Sequence, residues 1–272
     1  MTHEPVRIGN VEVLTVCEGY APVDLAEELP GVGVDWEAER RRYPWAFHDE
    51  GSWAWHVHAF ALRTPNGVVM VDCGVGGFPP YRPWAVHTEA DVALAGAGVD
   101  PGDVRVVIHT HLHADHAGGS ILDGGPRFPN AVHHVHRADW SFFGQAERID
   151  GYTARRPMEE LERLGMVQLG DGDREVVSGV RMVHAPGHTP GHRVVTVTSG
   201  DETLLLTGDL LHVPIQVERP EVHSSHDVDP EAGCRSRLHL LERARHGRWR
   251  IAVSHFGQPV GRVESSCWIS GV

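Results

Sequence analysis

Three histidines and one aspartate fall within six residues near the middle of the chain. They are His111, His113, Asp115 and His116, in the segment His-Leu-His-Ala-Asp-His. Imidazole and carboxylate groups are ligands for zinc and the neighbouring first-row metals. Buried polar side chains so close together would each lose hydration and would each need a partner. The segment therefore predicts a metal-binding site.

Three later residues, His188, Asp209 and His255, carry the same types of ligand. Each metal-binding position follows an apolar run that is typical of a buried strand: Val104–Ile108 precedes His111, Val180–His184 precedes His188, Thr203–Leu206 precedes Asp209, and Trp249–Val253 precedes His255. Loops at the ends of neighbouring strands can converge on one rim of a sheet, where the scaffold fixes their geometry. We therefore expect these ligands to meet.

The rest of the sequence mixes strand and helix patterns along its whole length. Further strands are predicted at Val6–Ile8, Val11–Val16, His56–Leu62, Val68–Val71, Val132–His136 and Val194–Val197. Helices are predicted at Thr88–Ala97, Arg137–Phe143, Pro157–Leu164 and Asp229–Arg245. The pattern shows no linker, so we expect residues 1–272 to form a single α/β domain whose last strand is Trp249–Val253.

The segment 20–55 loses a clear period and is rich in aromatic residues, among them Trp36, Trp45, Trp53 and Trp55. A structureless loop of that length is unusual inside a compact domain, so a short helix is predicted near Trp36–Arg42. We expect this N-terminal extension either to cap the metal cleft or to lie across a second copy of the chain in a homodimer.

Composition excludes several classes of partner. The formal net charge is −13 without a concentrated basic patch, which argues against nucleic acid. No apolar stretch approaches membrane-spanning length, and no secretory signal is evident. The four cysteines are scattered, which predicts reduced thiols in a cytoplasmic protein rather than a disulfide frame or a cysteine–zinc site. They are Cys17, Cys73, Cys234 and Cys267.

Some histidines outside the metal-binding positions keep two interpretations. His56 and His58 lie two apart on a predicted strand and so share one face, where they serve packing or line a pocket. His192 flanks His188 and either supports that ligand or serves the fold alone.

Five separated motifs resemble, in the same order, those of the metallo-β-lactamase superfamily. They are Val71-Asp72-Cys73-Gly74, the stretch from His109 to Gly119, the stretch from Ala185 to His192, Thr207-Gly208-Asp209 and Ser254-His255-Phe256. The resemblance spans about residues 56 to 260 and implies a four-layer αββα sandwich with a dinuclear metal site. It implies that His111, His113 and His188 hold one metal ion, that Asp115, His116 and His255 hold the second, that Asp209 bridges the two, and that Asp72 orients ligands.

The sequence around the bridging position is similar to the branch that contains methyl parathion hydrolase and the N-acyl-homoserine lactonases. In those lactonases a tyrosine that contacts the substrate lies three positions after the bridging aspartate. This chain has His212 there. The difference argues against a phenol-assisted mechanism, and an imidazole can donate a proton instead.

The resemblance implies a hydrolase with two divalent ions, for which Zn²⁺ is the first expectation, although nitrogen and oxygen ligands also admit Mn, Fe or Co. Two nearby cations can share one solvent oxygen and supply hydroxide near neutral pH. We expect this bridging hydroxide to cleave a small, fairly apolar ester or lactone. Asp115, Asp209 and His212 are the expected catalytic residues, with Asp115 orienting the nucleophile. Phe142 and Phe143, with His212, are the expected substrate neighbours.

Other activities are compatible with the same motifs. A phosphotriester or a thioester could replace the lactone as substrate. An iron-dependent oxygenase or oxidoreductase would use the same fold with different metal chemistry, and a metal-stabilised binding module would need no open coordination position. Metal analysis separates these alternatives, because two zinc ions per chain favour hydrolysis whereas one iron with oxygen uptake favours the oxygenase.

Overall fold

The computed structural model describes residues 3–31, 33–49, 51–77, 83–145 and 153–271. Its strands, in chain order, are β1 Val6–Ile8, β2 Val11–Asp24, β3 Ser52–Thr64, β4 Gly67–Val71, β5 Val86–His87, β6 Val104–Ile108, β7 Ile121–Leu122, β8 Gly125–Pro126, β9 Val132–His136, β10 Val167–Gly170, β11 Arg174–Val177, β12 Val180–His184, β13 Arg193–Ser199, β14 Glu202–Leu206, β15 Arg250–Ala252, β16 Val260–Glu264 and β17 Cys267–Ser270.

The α-helices of the described ranges are α1 Leu25–Glu28, α2 Trp36–Arg42, α3 Ala90–Gly96, α4 Ala114–Ala117, α5 Arg137–Phe143, α6 Arg155–Arg163, α7 Ile215–Glu218 and α8 Pro230–Gly247. Helix α8 begins after Asp229, whose side chain accepts a hydrogen bond from the Ala232 N–H at 2.9 Å. Among the described residues, no helix has the length and apolar character needed to cross a lipid bilayer.

Apart from β7 and β8, which pair only with each other, the described strands form two large sheets. The first has the order β1-β2-β3-β4-β6-β9-β10, with β5 added beside β2, and the second runs β11 to β17 in sequence. Apolar side chains of both sheets form one shared core, with Phe60 and Val71 from the first sheet and Val195 and Leu206 from the second. The sheets therefore pack face to face.

Helices cover the outer faces of this sandwich. Leu94 of α3 packs against Met70 and Val107 of the first sheet. Leu240 of α8 packs against Leu205 of the second sheet. The expected αββα layers are therefore confirmed.

Parallel pairing explains why the predicted ligands meet. Strands β4 and β6 are parallel, with Val71 opposite Ile108, and β14 and β15 are parallel, with Leu206 opposite Ala252. The C-terminal ends of both pairs therefore lie at one edge of each sheet, where the loops that follow carry the ligands.

The two strands that flank the N-terminal extension reach into both of its ends. Strand β2 continues to Asp24 and β3 starts at Ser52, so that these two residues pair. A bulge between Cys17 and Gly19, where Gly19 has φ of 118°, interrupts the strand alternation just before this segment. The predicted helix near Trp36–Arg42 is confirmed as α2.

The prediction that Trp249–Val253 is the last strand is also wrong, because the hairpin of β16 and β17 follows it. Its turn residues Ser265 and Ser266 both have positive φ, at 47° and 65°. Asparagine or glycine usually marks such a turn, and two serines give no comparable signal.

Candidate metal centre

The first ligand cluster contains His111, His113, His188 and Asp209. His113 Nδ1 lies 2.9 Å from His111 Nε2 and 2.9 Å from His188 Nε2. Asp209 Oδ2 lies 3.2 Å from His188 Nε2. Ligand atoms around a tetrahedral zinc ion are about 3.3 Å apart, so these four atoms have the spacing of one coordination sphere.

The second ligand cluster contains Asp115, His116, Asp209 and His255. His116 Nε2 lies 3.1 Å from Asp115 Oδ2, 3.0 Å from Asp209 Oδ1 and 3.3 Å from His255 Nε2. His255 Nε2 lies 2.9 Å from Asp209 Oδ1. This cluster has the same compact spacing as the first.

Asp209 belongs to both clusters and presents a different oxygen to each. Oδ2 faces the first cluster through His188, and Oδ1 faces the second through His116 and His255. Oδ1 is buried, and although the Nε2 atoms of His116 and His255 lie within 3.0 Å of it, no described residue has the geometry to donate a hydrogen bond to it. An orphaned carboxylate oxygen is costly in a protein interior unless a cation neutralises it. The residues present therefore fit two metal ions with Asp209 between them.

The protonation of the cluster suits metal binding. Burial lowers the pKa of His111 and of His113 well below the usual value, so both imidazoles are neutral and offer a lone pair. Burial acts in the opposite direction on Asp209, but the neighbouring His116 and His255 outweigh it and hold the pKa of Asp209 well below its usual range. Burial also disfavours the charged forms of His116 and His255, but the nearby carboxylates, Asp209 first, outweigh it and raise the pKa of both imidazoles. The first cluster thus offers neutral imidazoles, whereas a divalent cation at the second cluster would displace protons from His116 and His255.

Asp72 orients one of the ligands. It follows β4 with φ of 63° and is buried. His116 Nδ1 donates to Asp72 Oδ2 at 2.8 Å, while the Thr110 N–H and hydroxyl donate to the two carboxylate oxygens at 2.8 Å each. Because Nδ1 carries the proton, His116 Nε2 can present its lone pair to the second cluster. This is the position that the sequence predicted for Asp72.

Asp227 holds His188 in the same way. His188 Nδ1 donates to Asp227 Oδ1 at 3.1 Å, and Arg237 Nη1 lies 3.3 Å from Asp227 Oδ2. Burial alone would raise the pKa of Asp227, but the hydrogen bond from His188 dominates and leaves that pKa below its usual range. In the sequence Asp227 belongs to the stretch that resembles the hydrolase and lactonase branch, but nothing there predicts its contact with His188.

A cavity opens onto the metal centre. It is lined by Val23, Glu28, Trp55, His113, Asp115, His188, Asp209, His212 and His226. His212 Nε2 lies 3.2 Å from Asp209 Oδ2, and its ring stacks on that of His255 at 5.8 Å. Trp55 also stacks on the His255 ring, with 5.3 Å between the ring centroids. The cavity is therefore apolar on the side of Trp55 and Val23 and polar elsewhere.

Of the two predicted phenylalanines, Phe143 contacts a residue that lines this cavity, and Phe142 packs against Phe143. The Phe143 ring meets the His113 ring edge to face at 5.4 Å. It also lines an adjacent cavity of about 260 Å³ together with Leu112, Trp140 and Met158. Phe142 contacts Phe143 at 5.1 Å. Their contact with substrate stays a prediction.

Glu28 is the wall residue that sequence analysis missed. It is buried at 5% exposure, the Ser224 hydroxyl donates to its carboxylate, and His226 Nε2 lies 3.5 Å from Oε2. In the sequence it belongs to Leu-Ala-Glu-Glu, a pattern that also suits a solvated helix face. No local signal in the sequence distinguishes a solvated glutamate from one that lines a cavity.

Comparisons with known proteins agree with this geometry. An N-acyl homoserine lactonase of a Bacillus species is 28% identical over 222 residues, which are 66% of this chain and 84% of that relative. The dizinc quorum-quenching lactonase AidC, in complex with a product, has a TM-score of 0.84 at 22% identity, covering 100% of this chain and 98% of that one. The hydrolase AbOPH has a TM-score of 0.81 at 19% identity, with the same coverage of both chains. These two structures are similar to this chain in fold.

The family model described as the metallo-beta-lactamase superfamily matches residues 53–254, which is most of the chain and includes six of the seven predicted ligands, with His255 directly after its end. From this match and the two joined ligand clusters, we conclude that the chain belongs to the metallo-beta-lactamase superfamily and is a metal-dependent hydrolase.

Proposed function

We propose that this protein is a dinuclear zinc lactonase that opens the ring of N-acyl homoserine lactones. The observation that carries the proposal is Asp209, whose two oxygens face two separate ligand clusters next to a cavity with apolar and polar walls. The lactonase relatives support the substrate class. Zinc is proposed because neutral imidazoles and carboxylates form the whole donor set, as in known zinc hydrolases.

A pair of divalent cations held by these ligands supplies Lewis acidity and lowers the pKa of nearby water to near neutrality. The chain's own groups then manage orientation and protons. Asp115 reaches the second cluster through Oδ2, and its carboxylate also lines the cavity. We assign its other oxygen to orienting the attacking water and accepting its proton.

His212 is assigned to the leaving oxygen. Its Nε2 faces Asp209 and the cavity, and its backbone N–H donates to Gln216 Oε1 at 2.6 Å, which fixes the loop. Trp53 packs edge to face against the His212 ring at 6.3 Å. A fixed imidazole at this point can donate a proton to the alkoxide that forms when the ring opens.

The cavity is small, about 20 Å³, and its walls carry the kinds of group that an acylated lactone would contact. Val23 and Trp55 offer apolar contact, and Glu28 offers an acceptor for the amide N–H that joins acyl chain and lactone. Because Val23, Glu28 and Trp55 all belong to the segment 20–55, we propose that this extension caps the centre. Its alternative role in a homodimer stays a prediction.

A turnover screen of zinc-loaded protein tests the function. The panel contains N-acyl homoserine lactones of several chain lengths, a γ-lactone without the amide, aryl esters, a thioester and a phosphotriester. We expect the acylated lactones to have the highest kcat/KM, with activity lost on chelation and restored by zinc. A higher kcat/KM for the phosphotriester or thioester, or oxygen uptake with bound iron, would overturn the proposal.

A further inference from the structure

A third group of metal-binding side chains lies apart from the metal centre. It consists of His3, Cys17 and His58, whose ligand atoms all lie within 4.8 Å of one another. None of the three belongs to the two clusters around Asp209. Cys17 and His58 are direct partners in the pairing of β2 with β3, and His3 lies just before β1. Three distant stretches of chain thus meet here.

The state of His58 indicates that a ligand is missing from this group. His58 is 2% exposed, yet neither Nδ1 nor Nε2 has a hydrogen-bond partner among the described residues. The Nε2 atom of His3 is also buried without one. A buried imidazole always has at least one donor or acceptor to satisfy, and leaving both nitrogens unpaired is unfavourable. The rings of His3 and His58 meet edge to face at 5.1 Å, so no apolar side chain separates them.

The donor set and the access route suit a transition metal. Two imidazoles and one thiolate are common zinc ligands, and a fourth tetrahedral position would remain for water. Zinc–ligand distances place such atoms about 3.3–3.6 Å apart, so the group needs only a modest contraction. His3 precedes the first strand, where the chain can adjust. A cavity of about 380 Å³, lined in part by His3, Cys17 and Thr88, gives an ion a way in.

We propose that His3, Cys17 and His58 bind one further metal ion of the zinc class. The ion ties the segment before β1 to β2 and β3. This assignment departs from the expectation that the scattered cysteines exclude a cysteine–metal site, because strand pairing brings Cys17 next to His58, which lies 41 positions further along the chain.

The site is linked to the metal centre through the backbone of β3. The His58 N–H donates to the Ser254 carbonyl at 3.1 Å, and the next residue, His255, donates from Nδ1 to the His56 carbonyl at 2.6 Å. An ion on His58 therefore stabilises the strand that positions His255. We expect it to raise the melting temperature while leaving the catalytic groups in place.

Cobalt substitution tests the proposal with a readout that is independent of catalysis. A cysteine thiolate bound to Co²⁺ gives a near-ultraviolet charge-transfer band, which the nitrogen and oxygen ligands of the metal centre do not produce. We expect the fully loaded wild-type protein to show this band and three metal ions per chain. Cys17→Ser and His3→Gln should each lose one ion, and Cys17→Ser should lose the band.

Matched variants separate this site from other thiols. Cys234→Ser removes a half-buried cysteine of α8 and should keep the band and all three ions. Loss of the band in Cys73→Ser but not in Cys17→Ser would overturn the proposal in favour of Cys73, which lies near His109 and His133. Absence of the band from wild-type protein that holds only two ions would also overturn it. Since His3→Gln alters a residue outside every strand and helix, its metal content can be read in folded protein, whatever the effect of the buried cysteine variants.

Discussion

His192 holds the backbone of Asp209 without being a metal ligand itself. His192 Nε2 accepts the Asp209 N–H at 3.0 Å, and Nδ1 donates to the Ala185 carbonyl at 3.0 Å. Burial, with a contribution from the charge of His188, lowers the pKa of His192 to about 3, so the imidazole stays neutral and keeps this tautomer. The orientation of the Asp209 carboxylate, which we propose joins the two metal ions, therefore depends on a histidine whose role the sequence left open.

Replacing His192 should weaken both the fold and the metal centre. His192→Ala leaves the buried Asp209 N–H unpaired, which should lower the free energy of unfolding by about 1–3 kcal/mol. Zinc affinity should fall about 10–100-fold, as is typical when a ligand-supporting group is removed. Denaturant unfolding and a competitive chelator titration measure the two effects. Wild-type values for both would show that His192 does not position Asp209.

Asp227 should affect zinc affinity although it is not itself a predicted metal ligand. Asp227→Asn keeps an acceptor for His188 but removes the charge and leaves Arg237 without its carboxylate partner. We expect zinc affinity to fall about 10–100-fold. The control is Asp229→Asn at the start of α8, since asparagine caps helices as well as aspartate does. Equal zinc affinities of the two variants would contradict the role of Asp227.

Glu18 should make stability depend on pH. It is 2% exposed, and its Oε2 accepts the Val75 N–H at 3.0 Å. Burial raises the pKa of Glu18 from 4.5 to about 7, with the nearby Arg127 opposing the shift. Between these two values the folded protein retains a proton that the unfolded chain has lost. The contribution of Glu18 to stability is therefore present below pH 4.5 and declines as the pH rises to about 7, by about 3 kcal/mol in total.

Glu18→Gln removes this titration while keeping an acceptor for the Val75 N–H. The free energy of unfolding is measured for wild type and variant from pH 4.5 to 8. As the pH rises, the stability of the variant should increase relative to that of the wild type. If the difference in free energy of unfolding between the two proteins stays constant over this pH range, the carboxyl group of Glu18 does not titrate there.

Glu28 should select for substrates with an amide N–H. A hydrogen bond to a charged group contributes about 1.5–3 kcal/mol, so Glu28→Ala should raise KM for acyl homoserine lactones at least about 10-fold. KM for the γ-lactone without the amide should change little, and Glu28→Gln should lie between wild type and Glu28→Ala. Steady-state kinetics on both substrates, with zinc content checked, measure this split. The same loss on both lactones would assign Glu28 to the fold instead.

The sequence was sufficient for the sandwich and for picking out seven side chains that the structure brings together, because each of them lies in a short motif beside a strand. It was insufficient where a contact depends on pairing between distant strands. The approach of Glu28 to the metal cavity requires β2 to continue past its bulge to Asp24, and the approach of Cys17 to His58 requires the β2–β3 register. Neither relationship has a local pattern.

The residues that hydrogen-bond to the predicted ligands could be predicted from the sequence only in part. Asp72 could be predicted because it belongs to a motif, whereas Asp227 and His192 are single residues whose partners become visible only when the loops meet. Their hydrogen bonds to His188 and to the Asp209 backbone are properties of the folded chain.

Anomalous diffraction from a zinc-loaded crystal tests the central claim most directly, namely that Asp209 joins two metal ions. We expect two zinc peaks at the metal centre, about 3.5–4 Å apart, with a different oxygen of Asp209 about 2.0–2.2 Å from each. A single peak at the centre, or two peaks that Asp209 does not connect, would contradict the account.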